Sequence, residues 1–156
     1  MATFFAPSDD SGTRGMRRER IRSTPSWRGQ GPRRDCVFVV EDAEDLGMSG
    51  MNVVQVQLFF SLIYDNVLYP LALVDWFKRG RCDPVTGMWV MHPDTTDGVR
   101  DRTVLHLETF LRAAHLIPVY GNGQMPLDFH FSYSLNAFEA YYVDKYIDHH
   151  AHEIAF

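Results

Sequence analysis

The segment of residues 52–77, NVVQVQLFFSLIYDNVLYPLALVDWF, constrains the fold of this chain more than any other. Apolar side chains occupy every second position from Val54 to Tyr64, and this period is typical of a β-strand with one buried face. Asp65 and Asn66 follow, and both residue types tolerate turn geometry. A second β-rich run extends to Phe77. The pattern predicts a long antiparallel hairpin at the centre of a small β-sheet.

Shorter apolar runs around this hairpin predict the remaining strands. Residues 36–41, 87–92, 104–107 and 115–120 are rich in β-branched and aromatic side chains, and polar loops separate most of them. We expect a mainly β (α+β) fold, with a small antiparallel bent sheet or barrel over residues 35–121. Apolar residues recur at three- and four-residue spacing over residues 134–150. This spacing predicts a C-terminal helix, within residues 122–156, packed on the same domain.

Residues 1–34 differ in composition from the rest of the chain. Residues 1–35 contain eight arginines and four acids, a net charge of +4, whereas the remainder contains seven Lys or Arg and sixteen acids, a net charge of −9. Ser, Gly, Pro and Arg dominate the segment, so we expect a disordered basic arm. Its charge indicates contact with nucleic acid or an acidic partner, and a solvated leader is the alternative. The candidate nucleic-acid residues are Arg14, Arg17, Arg18, Arg20, Arg22, Arg28, Arg33 and Arg34.

Cysteine usage and the lengths of the apolar runs indicate an intracellular protein without a membrane partner. Cys36 and Cys82 form no CxxC motif. No apolar run reaches the length of a signal-peptide core or of a bilayer span. We therefore expect two reduced thiols that are buried as small hydrophobic side chains.

Four aromatic residues in or beside the predicted strands are candidates for a binding site. Cation–π attraction makes an aromatic cage for a methylated lysine physically reasonable. Packing in the core is the alternative for at least half of these side chains. The four residues are Tyr69, Trp76, Trp89 and Tyr120.

The end of the predicted C-terminal helix carries a histidine-rich motif, IDHHAHEIAF. On a helix His149 lies beside His152 and Glu153, so two imidazoles and one carboxylate could share an ion. Zinc is the one cofactor that this motif suggests. The metalloprotease motif HExxH is absent from the sequence. A polar helix terminus whose imidazoles face the negative end of the helix dipole is the alternative.

One family resemblance rests on the phrases PRRDCVFVVED, GMNVVQVQLFFSLIYDNVLYPLALVDWF, GMWVMHPD, VLHLETFLRAAHLIPVYG and SYSLNAFEAYYVDKYIDHHAHEIAF. They resemble the C-terminal region of basidiomycete transposon proteins of the Plavaka type and of related fungal orphan proteins. The resemblance covers about residues 32–156 and excludes residues 1–31. In that family the matching region lies downstream of the transposase catalytic core. The resemblance therefore implies that the DNA-cleaving acidic residues and the cysteine-rich zinc motifs are not in this chain.

These observations predict a non-catalytic interaction module of a fungal transposon-derived protein, acting in the nucleus on chromatin or protein partners. The barrel pattern is also similar to Tudor-like and bromo-adjacent-homology chromatin modules, which is an analogy of fold. Phosphate contacts need clustered Lys and Arg, so we expect DNA contact only from the arm and not from the acidic body. Two alternatives stay open: a metal-dependent hydrolase or nuclease that uses the histidine cluster, and an element fragment without a selected function.

Overall fold

The computed structural model describes residues 1–7, 16–121, 124–125 and 127–155. In these residues the chain is mainly β, with an eight-stranded antiparallel barrel-like sheet and one short C-terminal α-helix. The predicted fold class is confirmed. Neither the helix nor the short 3₁₀ turns among the described residues are long and apolar enough to cross a membrane.

Fourteen strands, three 3₁₀ helices and one α-helix make up the described structure. The 3₁₀ helices span Gly47–Ser49, Leu107–Thr109 and Phe131–Tyr133, and α1 spans His149–Ile154. The strands are β1 (Ala2–Pro7), β2 (Met16–Ile21), β3 (Ser23–Thr24), β4 (Arg33–Arg34), β5 (Cys36–Val40), β6 (Met51–Tyr64), β7 (Val67–Cys82), β8 (Trp89–Pro93), β9 (Thr95–Thr96), β10 (Val99–Arg100), β11 (Arg102–His106), β12 (Phe110–Ala114), β13 (Leu116–Pro118) and β14 (Tyr141–Val143).

The main sheet is ordered around the predicted hairpin. Strands β12, β5, β6, β7, β8, β14 and β13 are neighbours in that order, and β11 also pairs with β7. Three further pairs, β1–β2, β3–β4 and β9–β10, form two-stranded sheets. Every pairing is antiparallel, as expected for a chain of hairpins and short loops.

The β6–β7 hairpin is confirmed, including its turn. Asp65 and Asn66 have φ angles of 50° and 60°. Two successive residues with positive φ are typical of the two-residue turns whose twist matches that of the flanking strands. Pro70 faces Ser61 across the hairpin, and no described strand pairs with its other side, so its missing N–H leaves no ladder hydrogen bond unmade there.

A bulge at Gln57 divides this hairpin into two parts. Val56 pairs with Val74, but Leu58 pairs with Leu73, so Gln57 has no partner of its own. Paired residues lie on the same face, and Val74 and Leu73 point to opposite faces. Val56 and Leu58 therefore also point to opposite faces. The sequence predicted that the alternating apolar residues share one buried face. In the structure they do not, because the bulge moves the residues after Gln57 to the other face.

Beyond the bulge, one face of the hairpin consists of apolar side chains alone. Four cross-strand pairs lie on it, and we name their eight residues, with the adjacent Val104 of β11, the apolar hairpin face. Most of these side chains are exposed, up to 71% for Tyr64. The pairs are Leu58 with Leu73, Phe60 with Leu71, Leu62 with Tyr69, and Tyr64 with Val67.

Near its centre, the sheet buries side chains on both of its faces. Val53 belongs to one core cluster and its neighbour Val54 to the other. The first cluster includes Phe77 and Tyr141, whose ring centroids lie 5.7 Å apart. The second cluster includes Ile21, which β2 contributes from the N-terminal part of the chain.

The described parts of the predicted arm form strands against this second cluster. β1 pairs with β2, and Phe4 stacks on Phe110 with a centroid distance of 5.8 Å. Ile21 is fully buried. These two side chains supply apolar surface that the arginine-rich composition of the segment conceals. Residues 8–15, also part of the predicted disordered arm, lie outside the described residues.

The C-terminal tail departs in detail from its prediction. A helix was predicted over residues 134–150, but α1 begins only at His149. Tyr141 and Tyr142 instead pair with Met91 and Val90 as part of β14. The tertiary environment overrides the helical spacing, since Tyr141 is buried against Phe77 in the core.

The two cysteines have different environments. Cys36 is 4% exposed, and burial raises the pKa of its thiol far above the ordinary value. Cys82 is exposed, so the prediction that both thiols are buried is wrong for this residue.

Candidate nucleic-acid interface

The alternation of RERIR in the N-terminal part directs its arginines to one side. Arg18 and Arg20 are exposed, whereas Glu19 and Ile21 between them are buried. This period of two is that of the strand β2. The buried side chains attach the strand to the sheet, and the arginines on the opposite side stay accessible.

Glu19 fixes this strand to β12 through a buried ion pair. The Nη2 group of Arg112 donates a hydrogen bond of 2.8 Å to Glu19 Oε1, and the backbone N–H of Ala113 donates one of 2.9 Å to Glu19 Oε2. Arg112 also donates to both carboxylate oxygens of Asp148, at 2.8 and 2.6 Å. The Arg112 side chain is 2% exposed. One buried guanidinium thus connects the N-terminal part, the sheet and the cap of α1.

The ionisation of this cluster follows from its contacts. Burial alone would lower the pKa of the Arg112 guanidinium, but the hydrogen bonds and negative charges of Asp148 and Glu19 raise it above its ordinary value. Arg112 Nη1 also donates to His150 Nδ1 at 3.1 Å. Burial and then the charge of Arg112 lower the pKa of His150. The cluster therefore favours a charged arginine and a neutral imidazole.

Five arginines line a cleft of about 630 Å³ beside this anchor. Residues 113–116, Ser134 and Leu135 also line it. We name this feature the arginine cleft. Its arginines are Arg18, Arg20, Arg22, Arg33 and Arg34.

The two carboxylates that line the arginine cleft already accept hydrogen bonds from other groups of the protein. Glu19 accepts from Arg112 and Ala113. Asp35 accepts from Arg33 Nε at 2.7 Å and from the backbone N–H of Arg22 at 2.8 Å. None of the described carboxylates forms an ion pair with the other four arginines of the cleft. The lining of the cleft therefore has an excess of positive charge, with five arginines against two carboxylates.

Trp27, in the loop between β3 and β4, contacts three guanidinium groups, two of which belong to the arginine cleft. The guanidinium carbons of Arg22, Arg28 and Arg33 lie 4.8, 5.4 and 5.0 Å from the centroid of its ring. These are cation–π distances. The ring of Trp27 therefore contacts the protein's own arginines and orients them.

A second cleft of about 420 Å³ adjoins the first and adds an exposed aromatic ring. Arg33, Arg34 and Asp35 line both clefts. Phe131 lines the second cleft, is half exposed, and has its ring centroid 4.2 Å from that of His130. Positive charge and an exposed aromatic face are the two elements of surfaces that bind single-stranded nucleic acid.

The structure thus brings together most of the predicted arm residues. Six of the eight arginines line the two clefts. Arg14 lies outside the described residues, and only the backbone of Arg17 is described. The sequence did not reveal Phe131 or the wall at residues 113–116, because both are far from the arm along the chain.

The four aromatic candidates are not brought together. Trp76 packs with the second core cluster and donates from Nε1 to Thr103 Oγ1 at 2.8 Å, whereas Trp89 packs against the first cluster. Tyr69 is seven residues from Trp76 on β7, a distance of roughly 23 Å at ~3.3 Å per residue. Tyr120 contacts Phe138 at a centroid distance of 5.1 Å. These positions do not form a cage.

The histidine candidates do not form a ligand group in the described structure. His149, His152 and Glu153 all lie on α1, as the motif suggested. Across residues 1–7, 16–121, 124–125 and 127–155, however, no three His, Cys, Asp or Glu side chains are placed so that they could hold a metal ion. The ring of His152 lies against that of Tyr146, with centroids 6.0 Å apart.

Comparisons with known proteins find no match to this chain among protein-family models, curated proteins or solved structures.

Proposed function

We propose that this protein is a non-catalytic interaction module that binds the phosphate backbone of single-stranded nucleic acid in the arginine cleft. One observation carries the proposal: five arginines line a single cleft whose two carboxylates are engaged in internal hydrogen bonds. Arginine suits this role because its planar fork donates two parallel hydrogen bonds to a phosphate.

The dimensions and lining of the site favour a single strand over a duplex. A cleft of about 630 Å³ has the volume of a small-ligand site and admits a few nucleotides. Phe131 in the adjoining cleft offers a ring on which a base can stack, a contact of about 1–3 kcal/mol per base. A base that is unpaired is free to reach such a ring.

Nuclear chromatin and an origin in a fungal transposon protein are the biological setting we propose, on the resemblance stated above. A fragment of such a protein, without the catalytic core, would be expected to keep contacts to nucleic acid or to other chromatin components. The arginine cleft supplies surface chemistry suited to that role.

The salt dependence of binding tests the proposal. Each phosphate neutralised on a single strand contributes about −0.7 to the slope of log K against log salt. Arg22 and Arg33 already lie against Trp27, so the other three cleft arginines, Arg18, Arg20 and Arg34, predict a slope of roughly −2. The measurement is fluorescence anisotropy of a labelled oligothymidylate with the full chain. Replacing Arg18 and Arg20 with Gln should reduce the slope by about 1.4, which is roughly 25-fold in affinity at 0.1 M salt.

A matched variant controls for the loss of charge. Lys78→Gln with Arg81→Gln removes the same two positive charges from exposed positions on β7 that line neither cleft. We expect its affinity to remain within about threefold of the unmodified chain. Equal weakening by both double variants would refute a role for the cleft. If polyglutamate displaced the labelled oligothymidylate as strongly as unlabelled nucleic acid does, the arginine cleft would instead be a site for acidic protein partners.

A further inference from the structure

The apolar hairpin face requires an explanation beyond the binding of nucleic acid. Leu58, Leu62, Tyr64, Val67 and Tyr69 are 36–71% exposed, and all five point to one side of the hairpin. Monomeric proteins seldom expose a contiguous apolar patch of more than a few hundred Å² without a partner for it. The arginine cleft uses none of these residues.

The hairpin end that carries this face is free of other strands in the described structure. Pairing of β5 with β6 stops at Gln55, and pairing of β11 with β7 begins at Leu71. Val104 of β11 extends the face at its base, since it is paired with Leu73. The ion pair of Arg102 with Asp75, at 2.6 Å, follows next along the strands and closes the apolar region. His106 of β11 is paired with Leu71 and borders the face on the same side. The face is therefore accessible, with polar neighbours at its base.

We infer that two copies of this chain associate face to face through the apolar hairpin face, around a two-fold axis. The charge of the face favours a second copy as its partner. None of its nine residues carries a charge at neutral pH, so a symmetric contact between these residues places no like charges opposite each other. The rest of the surface is not neutral, because the chain has a net charge of −5. Two copies therefore meet with the least repulsion at this face.

The available area meets the requirement for a specific dimer. The exposed fractions of Leu58, Leu62, Tyr64, Val67, Tyr69 and Val104 sum to about three complete side chains. At roughly 150–200 Å² for a large apolar residue, this corresponds to about 500 Å² per protomer. Two protomers would then bury about 1,000 Å², the lower bound for a biological interface. Two such ribbons would stack about 10 Å apart, as packed sheets do.

Sedimentation equilibrium of the full chain from 1 to 200 μM tests the inference. We expect a dimer whose dissociation constant changes little, or falls, when salt is raised from 0.05 to 0.5 M, since apolar contacts are not screened. Nucleic-acid binding at the arginine cleft should weaken steeply over the same range. A protein that is monomeric at 200 μM would refute self-association and would indicate a different protein as the partner of this face.

Paired charges on the two faces of the hairpin provide the variant and its control. Leu62→Lys with Tyr69→Glu places a cross-strand ion pair on the apolar hairpin face. Ile63→Lys with Leu68→Glu places the same pair on the opposite face, where both residues are also exposed. Opposite charges across a strand pair keep the hairpin itself stable. Circular dichroism would check that both variants fold.

The two variants should differ clearly in self-association. We expect the dissociation constant of the dimer to rise at least 100-fold in the first variant and less than threefold in the second. Equal effects of the two variants would contradict face-to-face packing. Masses that grow beyond a dimer would also contradict it, because they would indicate open-ended pairing of strand edges.

Discussion

The ion pair of Glu19 with Arg112 makes a quantitative prediction about how the N-terminal strands are attached. Glu19→Gln keeps the size of the side chain but removes its charge and one of its acceptor oxygens. In the folded protein those oxygens accept from Arg112 Nη2 and from the N–H of Ala113, at 2.8 and 2.9 Å. The amide nitrogen of Gln would place a donor against one of these two donors, and that donor would lose its partner.

The expected loss follows from the burial of the pair. Glu19 is 9% and Arg112 2% exposed, so water replaces the missing contact poorly. A hydrogen bond to a charged group contributes about 1.5–3 kcal/mol, and we therefore expect unfolding free energy to fall by about 2–3 kcal/mol. With an m-value of about 2 kcal/mol/M, the midpoint of urea unfolding should move down by about 1 M.

The assay compares this variant with Glu44→Gln, the same chemical change at an exposed loop position. That control should stay within about 0.5 kcal/mol of the unmodified protein. Trypsin offers an independent measurement. The side chains of Arg18 and Arg20 are already exposed, but their backbone becomes available for cleavage only when β2 is released from the sheet. If Glu19→Gln lowers stability no more than Glu44→Gln does, and if its tryptic cleavage is unchanged, the attachment does not depend on the ion pair.

Two further predictions concern a partly buried histidine and the two cysteines. Burial and then the charge of Arg112 lower the pKa of His150 below its ordinary value of 6.5, so the unfolded chain binds this proton first as pH falls. Stability should therefore decrease as pH falls below 6.5, and His150→Gln should make the decrease shallower in urea titrations. An equal pH dependence of the two proteins would contradict this. A maleimide at neutral pH should label Cys82 rapidly and Cys36 only on unfolding, because the Cys36 thiol is buried and its pKa is raised. Rapid labelling of both cysteines in the folded protein would contradict the packing of β5.

The parts of the fold that depend on local chemistry were predictable from sequence. Asp65 and Asn66 indicated the hairpin turn because few residue types adopt positive φ, and the structure has them at 50° and 60°. The bulge was not predictable. Apolar residues alternate without interruption through Gln57, and only the pairing with β7 shows that this residue is skipped. A single skipped residue moves the following apolar side chains from one face to the other.

Long-range contacts explain what the sequence did not reveal about the candidate site. The arginines of the N-terminal part were identified from charge alone, without any indication that they converge. Their convergence depends on Glu19 and Arg112, which are 93 residues apart in the chain. A glutamate among arginines has the appearance of charge balance in the sequence. The second donor to Glu19, the N–H of Ala113, comes within hydrogen-bonding distance only once β12 has formed.

The distribution of charge connects the two proposed surfaces. The residues after position 35 carry a net charge of −9, so most of the surface repels a phosphate backbone and the arginine cleft offers the favourable approach. A nucleic-acid strand would therefore bind in a restricted orientation. Association through the neutral apolar hairpin face adds no positive charge, but it joins two such clefts in one particle. A strand long enough to reach both clefts would then bind more tightly than either cleft alone allows, through effective concentration and without a new contact. Dimerisation would in this way raise affinity for long strands above that for short ones, although the body of the protein is acidic.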